Sequence, residues 1–193
     1  MKQLMRRPGF RVVLWVLVAA LYLVPLIVVN GAVDYFLKIE GVPGESADTD
    51  HKDWIDVSSF QWGVTRPVTG AGGARTNGPP VFKEVTVSKW VDKSSPVLML
   101  GVCEGKVYPK VELDVVDRAN GTATDRQMTY TLSNVLVTAT QPEGASTGSD
   151  ARPTESISLN FTKIEMKYRT VDVASGTVTF TTNVTCDVPD AAP

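Results

Sequence analysis

The chain has one histidine, His51, and it lies among acidic side chains. Asp48, Asp50 and Asp53 surround it within six residues. A histidine beside carboxylates is the composition of a metal site or of a general acid–base pair. The spacing fits no metal loop, because no second histidine follows and the EF-hand pattern of oxygen ligands, glycine and closing glutamate is absent. The sequence therefore predicts a solvated turn before a strand.

Other catalytic groups are equally scarce. A serine nucleophile would need a base, only His51 is available, and no Gly-x-Ser-x-Gly elbow occurs. The glycines of residues 70–73 are not followed by Gly-Lys-Ser/Thr, so this stretch does not match a phosphate-binding loop. We therefore predict that the protein is not an enzyme and has no catalytic residue, no cofactor and no metal ligand.

The chain has two cysteines, Cys103 and Cys186. An even number in an exported protein is compatible with one disulfide. That bridge would close a long loop and stabilise the fold by roughly 4 kcal/mol in the chain-entropy view. The alternative is a pair of buried thiols that pack as small hydrophobic side chains.

Residues 1–31 have the composition of a targeting segment. Four basic residues precede an uncharged apolar run over residues 12–29, and no acidic residue occurs before Asp34. The run is about 27 Å long as a helix, which is close to the thickness of a bilayer core. It is either a signal peptide cleaved ahead of Ala32, with Pro25 breaking the helix late in the run, or an uncleaved transmembrane anchor. A helix of the protein core is a third alternative.

Both leading alternatives place residues 32–193 outside the cytoplasm, because positive charges before the run hold the N-terminus inside. A cleaved signal gives a secreted or extracytoplasmic protein, and an uncleaved run gives a single-pass protein that contacts the membrane through residues 12–29. Residues 32–193 carry 15 Lys and Arg against 21 Asp and Glu, a formal charge of −6. An acidic domain without a basic stripe is a poor partner for nucleic acid.

Hydrophobicity after residue 31 alternates with the period of a half-buried antiparallel strand. Clear examples are 33–39, 54–64, 107–116 and 177–186. The stretches 128–139 and 157–168 change phase part-way, which indicates a β-bulge that would help a sheet to close.

One short helix is expected over roughly residues 96–104. Ser94 or Ser95 can cap it, Pro96 suits its first turn, and Gly105 can end it. Residues 65–80 and 142–153 are long polar loops, rich in glycine or proline, of a kind that is often functional. The tail from Asp187 is short and acidic.

The amino-acid sequence of the domain resembles the haemolysin-coregulated protein (Hcp) family, whose members are the tube subunits of bacterial type VI secretion systems. The matching blocks follow in family order over roughly residues 32–185. They are Ala32-Val-Asp-Tyr-Phe-Leu-Lys-Ile, Gly44-Glu-Ser, Ile55-Asp-Val, Trp62-Gly, Lys89-Trp-Val-Asp-Lys-Ser-Ser-Pro-Val-Leu-Met, Gly105-Lys-Val-Tyr-Pro-Lys-Val-Glu-Leu, Tyr130-Thr-Leu-Ser-Asn-Val-Leu-Val-Thr and Glu155-Ser-Ile-Ser-Leu-Asn-Phe-Thr-Lys-Ile.

The resemblance implies a mainly β fold: a small antiparallel β-barrel with one short flanking α-helix, here preceded by an N-terminal hydrophobic helix. It divides the chain into residues 1–31 (signal or anchor), residues 32–186 (Hcp-like barrel) and residues 187–193 (tail). It also implies homo-hexameric rings that stack into a hollow tube and carry secretion effectors or meet other secretion-system subunits. The loop after the second strand would reach the next ring, which makes these the ring-stacking candidates: Thr65, Arg66, Gly70, Gly72, Gly73, Arg75 and Asn77.

The N-terminal segment departs from the family, whose members begin at the equivalent of Ala32. Three interpretations stay open. The protein is an exported or tethered tube-like scaffold, a tube component with an N-terminal extension, or an exported or membrane-tethered monomeric binding module that keeps the barrel and has lost the ring.

Overall fold

A computed structural model describes residues 33–70, 75–118, 124–144, 152–172 and 174–189. Its elements in chain order are β1 (Val33–Ile39), β2 (Ile55–Gln61), β3 (Val64–Thr65), β4 (Val68–Thr69), β5 (Thr76–Asn77), β6 (Val81–Phe82), β7 (Val85–Trp90), α1 (Ser95–Glu104), β8 (Val107–Asp117), β9 (Thr124–Glu143), β10 (Thr154–Asn160), β11 (Lys163–Asp172) and β12 (Val178–Asp187).

Eight antiparallel strands form the main sheet, in the order β10-β7-β2-β1-β8-β9-β11-β12. β10 pairs with β9 as well as with β7, so the ladder of six strands returns to its first member. The hairpin of β11 and β12 extends beyond this closed part along the first half of β9. The expected mainly antiparallel β fold with one short helix is confirmed.

A corner in β9 lets one strand serve both parts of the sheet. Asn134 has a positive φ of 51°, and its side-chain amide donates to Oγ1 of Thr162 at 3.1 Å. Residues before the corner pair with β11 and residues after it pair with β10. Thr162 separates β10 from β11, so the stretch 157–168 contains parts of two strands, with a turn between them. The prediction of one bulged strand there is wrong, because the change of phase between Phe161 and Ile164 marks a turn between two strands.

The core lies inside the closed part of the sheet and under α1. Leu98 is the buried anchor of the helix, and Gly101 beside it lies against Tyr108 of β8. The helix ends as predicted at Gly105, which is left-handed with φ of 63°. The following residues form the buried hydrophobic cluster: Leu37, Ile39, Val42, Ile55, Val57, Val85, Val87, Leu98, Tyr108, Val111, Leu113, Tyr130, Leu132, Val135, Val137, Ile157, Leu159, Phe161 and Ile164.

The predicted signal peptide or anchor, residues 1–31, lies outside the described residues. Among the residues that are described, no helix is long and apolar enough to cross a membrane.

Candidate functional site

His51 is buried, contrary to the solvated turn that the sequence predicts. Its Nδ1 lies 2.9 Å from Oδ1 of Asp48, and its Nε2 lies 3.0 Å from Oδ2 of Asp114 on β8. The ring stacks on Phe36, with centroids 4.1 Å apart and planes inclined by 7°. A carboxylate oxygen can only accept, so both ring nitrogens must carry a proton for both contacts to be hydrogen bonds. The histidine thus holds its loop to two strands.

The loop that carries His51 is folded tightly against β2. Gly44 donates its backbone N–H to the carbonyl of Asp53 at 2.8 Å. A Cβ at Gly44 would come within 2.1 Å of the carbonyl oxygen of Trp54, so only glycine fits this close approach. Sequence reasoning missed the buried histidine because its partner Asp114 is 63 residues away. The only local signal was the proximity of Asp48.

The Asp48 carboxylate is stabilised in its charged form. Burial opposes its ionisation, but hydrogen bonds from the His51 ring and from the backbone N–H groups of Asp50 and His51, together with the charge of Arg118, lower its pKa below the ordinary value. Nη2 of Arg118 lies 2.5 Å from Oδ2 of Asp48.

A cavity of about 360 Å³ opens beside this cluster. Its lining includes Asp50, His51, Asp114, Gln127 and Arg169. The Gln127 amide donates to Oδ2 of Asp114 at 2.8 Å and accepts from the Arg169 guanidinium. Oδ1 of Asp114 is buried and has no hydrogen-bond partner among the described residues. These contacts join Asp114 of β8, Gln127 of β9 and Arg169 of β11, so the arrangement ties three strands together. Within the described ranges no cluster of His, Cys, Asp and Glu is arranged to hold a metal ion.

A second ionic cluster is formed by Lys89, whose side chain is completely buried. Its Nζ donates to Oε1 of Glu155 at 2.6 Å, to Oδ1 of Asp92 at 2.8 Å and to the carbonyl of Trp90 at 2.7 Å. Asp92 also accepts from the N–H of Ser94 at 2.8 Å, at the start of α1. Burial alone would raise the pKa of Asp92, but the hydrogen bonds and charge of Lys89 and the hydrogen bonds of Ser94 lower it. This cluster fixes the turn between β7 and the helix.

The described part of the predicted stacking loop is a narrow double-stranded arm, which we define as residues 63–70 and 75–82. Val64–Thr65 pairs with Val81–Phe82, and Val68–Thr69 pairs with Thr76–Asn77. The candidates Thr65, Arg66, Gly70, Arg75 and Asn77 lie together on this arm and are exposed. Gly72 and Gly73 lie outside the described residues. Nη1 of Arg66 donates to the carbonyl of Gly78 at 3.3 Å, across the arm.

Cys103 and Cys186 are both exposed and free. Cys103 is on α1, which packs on β9, whereas Cys186 is on β12, which pairs only with β11 among the described strands. The exposure of both residues differs from the alternative of two buried thiols. The disulfide stays a prediction.

Two apolar surfaces face solvent. The helix face, defined as Val97, Met99 and Leu100, is exposed on an α1 that has no charged residue before Glu104. The β12 face is the second, and every residue of that strand is exposed. It consists of Val178, Phe180 and Val184.

Comparisons with known proteins converge on one family. A family model described as "Type VI secretion system effector, Hcp" matches residues 36–168. Protein hcp1 of Pseudomonas aeruginosa is 35% identical over 139 residues, which is 72% of this chain and 84% of the relative. Among solved structures, one of a type six secretion system protein aligns with a TM-score of 0.70 at 28% identity, covering 81% of this chain and 96% of the other. A type VI secretion system effector from Yersinia pestis aligns with a TM-score of 0.60 at 27% identity, covering 80% of this chain and 100% of the other.

Proposed function

We propose, from the premise that this chain belongs to the Hcp family of type VI secretion system proteins, that copies of it assemble into six-membered rings which stack into a hollow tube. The chain is a non-enzymatic structural protein of that family. In the proposed assembly each copy contributes one small β-barrel to the wall of the tube.

The observation that carries the proposal is the exposure of two different apolar surfaces on one subunit. On the helix face, Met99 is 58% exposed and Leu100 is 53% exposed. On the β12 face, Phe180 is 55% exposed. Exposed apolar side chains grouped on one element are typical of protein–protein contacts. Because the two surfaces differ, a contact that joins one to the other is head-to-tail, and such contacts close into a ring when the rotation allows it.

The unpaired edge of β12 supports the same conclusion. Among the described strands, β12 has a neighbour on one side only, β11. An exposed edge of ten residues is a template for pairing with another chain unless it is covered. A neighbouring subunit in a ring would cover it without producing an open-ended aggregate.

We propose a role for each segment of the chain, including its two ends. Residues 1–31 form a signal or anchor segment, residues 32–186 form the barrel domain, and residues 187–193 form a tail. The domain is placed outside the cytoplasm, with the membrane as a partner through residues 12–29 if the segment is retained. N-terminal sequencing of protein isolated from its host separates the alternatives, since a chain that begins at Ala32 has lost the segment. Secretion effectors and other secretion-system subunits are the further partners that we propose.

The oligomeric mass of the full-length protein tests the ring. We expect light scattering on a chromatographic peak in mild detergent to give six times the chain mass, and electron microscopy to show rings. Met99→Lys should abolish the ring while the circular dichroism spectrum stays unchanged. Val68→Lys is the matched control, because Val68 is 56% exposed but lies on the arm, and it should keep the mass of the ring. A wild-type protein that stays monomeric at high concentration would contradict the proposal and favour the monomeric binding module.

A further inference from the structure

Each of the two exposed apolar surfaces presents one of the two thiols. On α1, Cys103 follows Met99 by four residues and Leu100 by three, so these side chains share the exposed side of the helix. On β12, Cys186 follows Val184 by two residues and therefore lies on the same side of the strand. The register with β11 is continuous over this stretch. A contact between the helix face and the β12 face thus joins two surfaces that each carry a thiol.

A cavity of about 430 Å³ opens beside Cys186, where the end of β12 meets the base of the arm. Val64 and Phe82 are among the apolar side chains that line it, and Val64 is 48% exposed. The cavity has room for an apolar side chain of the helix face from a second copy. Because residues three apart on a helix have Cβ atoms about 5–6 Å apart, insertion of Leu100 would bring Cys103 close to Cys186.

The charges beside the two thiols are complementary. Arg66 and Asp187 line the cavity. Glu104 and Lys106 lie at the end of the helix face, and both are exposed. None of the four belongs to an ion pair among the described residues. Each surface therefore offers one unpaired charge of each sign, and Glu104 of one copy can pair with Arg66 of the next.

We propose that Cys103 of one copy and Cys186 of the neighbouring copy in the ring form a disulfide that joins the two subunits. Within one copy both thiols are free and exposed, so both are available to another copy. The inference rests on the proposed function, because it requires the head-to-tail contact and a domain outside the cytoplasm, where disulfides persist. One such bond at each contact closes the ring covalently.

The oxidant for this bond is another disulfide, either of low molecular mass or of a thiol–disulfide oxidoreductase. One protein thiolate attacks the oxidant, which forms a mixed disulfide and releases one thiol. The second protein thiolate then attacks the protein sulfur of the mixed disulfide and displaces the other thiol. The sulfur–sulfur bond of the oxidant is broken and the bond between the two subunits is formed. Two electrons and two protons pass from the protein to the oxidant, which leaves as two thiols.

Denaturing electrophoresis without reductant tests the bond on the full-length protein after oxidation with glutathione disulfide. We expect a ladder of cross-linked species up to six times the chain mass, which dithiothreitol returns to the single chain. Cys103→Ser and Cys186→Ser should each lower the cross-linked fraction at least tenfold. A dimer that persists in either variant would show that like thiols pair, and oxidation that leaves only single chains would show that no bond forms between copies. Either result would overturn the inference.

Producing the two serine variants together in one cell tests the direction of the contact. Each variant keeps one thiol, so oxidation of the mixed rings should give a two-chain product and nothing larger. Mass spectrometry of a digest should find the Cys103 peptide joined to the Cys186 peptide. Mixed rings that give no two-chain product would contradict the pairing.

Charge reversal tests the placement of the helix end at the cavity. Arg66→Glu should slow the oxidation at least threefold, because it opposes Glu104, and adding Glu104→Arg should restore the rate. Arg75→Glu is the matched control, since Arg75 is on the arm but does not line the cavity, and it should stay within twofold of the wild type. Equal rates in the two single variants would contradict this placement. Wild-type rings that never cross-link contradict the disulfide alone, whereas a protein that never forms rings contradicts the ring and the disulfide together.

Discussion

The ammonium group of Lys89 lies 2.6 Å from Oε1 of Glu155, and both side chains are buried. This pair joins β7 to β10, which are neighbouring strands in the closed part of the sheet. Asp92 adds a second carboxylate at 2.8 Å. The lysine thus neutralises two acidic groups that have little access to water.

Lys89→Met should destabilise the protein severely. It leaves the carboxylates of Glu155 and Asp92 without their cation, and breaking a buried ion pair from one side costs about 3–5 kcal/mol. Denaturant unfolding followed by tryptophan fluorescence measures the change. Lys93→Met is the control, since Lys93 lies 3.7 Å from Asp53 in an exposed pair, and it should change the free energy of unfolding by less than about 1 kcal/mol. Equal losses in the two variants would contradict the structure.

Gly101→Ala should destabilise the helix packing even though alanine is the better helix former. The new methyl carbon would lie 2.4 Å from the phenolic oxygen of Tyr108. Overpacking of this kind costs about 1–3 kcal/mol, which exceeds the gain of about 1 kcal/mol from the higher helix propensity of alanine. The unfolding temperature of Gly101→Ala should therefore be lower than that of the wild type, and thermal unfolding measures this difference.

Adding Tyr108→Phe to Gly101→Ala should restore the thermal stability that Gly101→Ala alone removes. The Tyr108 hydroxyl is buried without a partner, so the phenylalanine variant alone should be as stable as the wild type or more stable. The double variant removes the collision and keeps the alanine in the helix. It should therefore unfold at a higher temperature than Gly101→Ala. A double variant no better than the single one would show that the collision is not the cause.

Acid should weaken the loop around His51. The pKa of Asp48 is lowered in the folded protein, so its contribution to stability is present above the pKa of the unfolded chain, about 3.9. That contribution is lost as the pH falls through the lowered folded value. Asp48→Asn should have a lower free energy of unfolding than the wild type at pH 6. The difference between the two proteins should become smaller below pH 4. A constant gap from pH 6 to pH 2 would contradict the assignment.

His51→Asn should cost about 2–3 kcal/mol, because the shorter side chain cannot reach both Asp48 and Asp114 and leaves the face of Phe36 uncovered. Denaturant unfolding is the measurement. Lys52→Ala, a change at the exposed neighbouring position, should leave the stability within about 0.5 kcal/mol. If His51→Asn behaved like Lys52→Ala, the histidine would not be holding the loop.

Many of the strands and the helix could be located from local sequence patterns. The alternation over residues 33–39 coincides with β1, and Pro96 and Gly105 bracket a helix that the structure places at Ser95–Glu104. These features depend on neighbours along the chain. The β11 boundary was missed because a change of phase such as that between Phe161 and Ile164 is produced by a bulge as well as by a tight turn between two strands.

The candidate site was harder to predict from the sequence, because it is formed by contacts between residues that are far apart in the chain. Nothing next to His51 in the sequence signals Asp114, and nothing next to Lys89 signals Glu155, since these pairs form only when distant strands meet. The arm was predicted as a long polar loop because its glycines and prolines disfavour long strands. The structure instead gives it short ladders of two residues on each side.

β9 is hydrogen-bonded to β8, β10 and β11, so one strand links the closed part of the sheet to the outer hairpin. All ten residues of β11 are in register with it. A pull on the hairpin along the strand direction would load these hydrogen bonds in shear, and they would have to fail together rather than unzip one after another. A wall made of such units would carry a load directed along these strands with little local yielding.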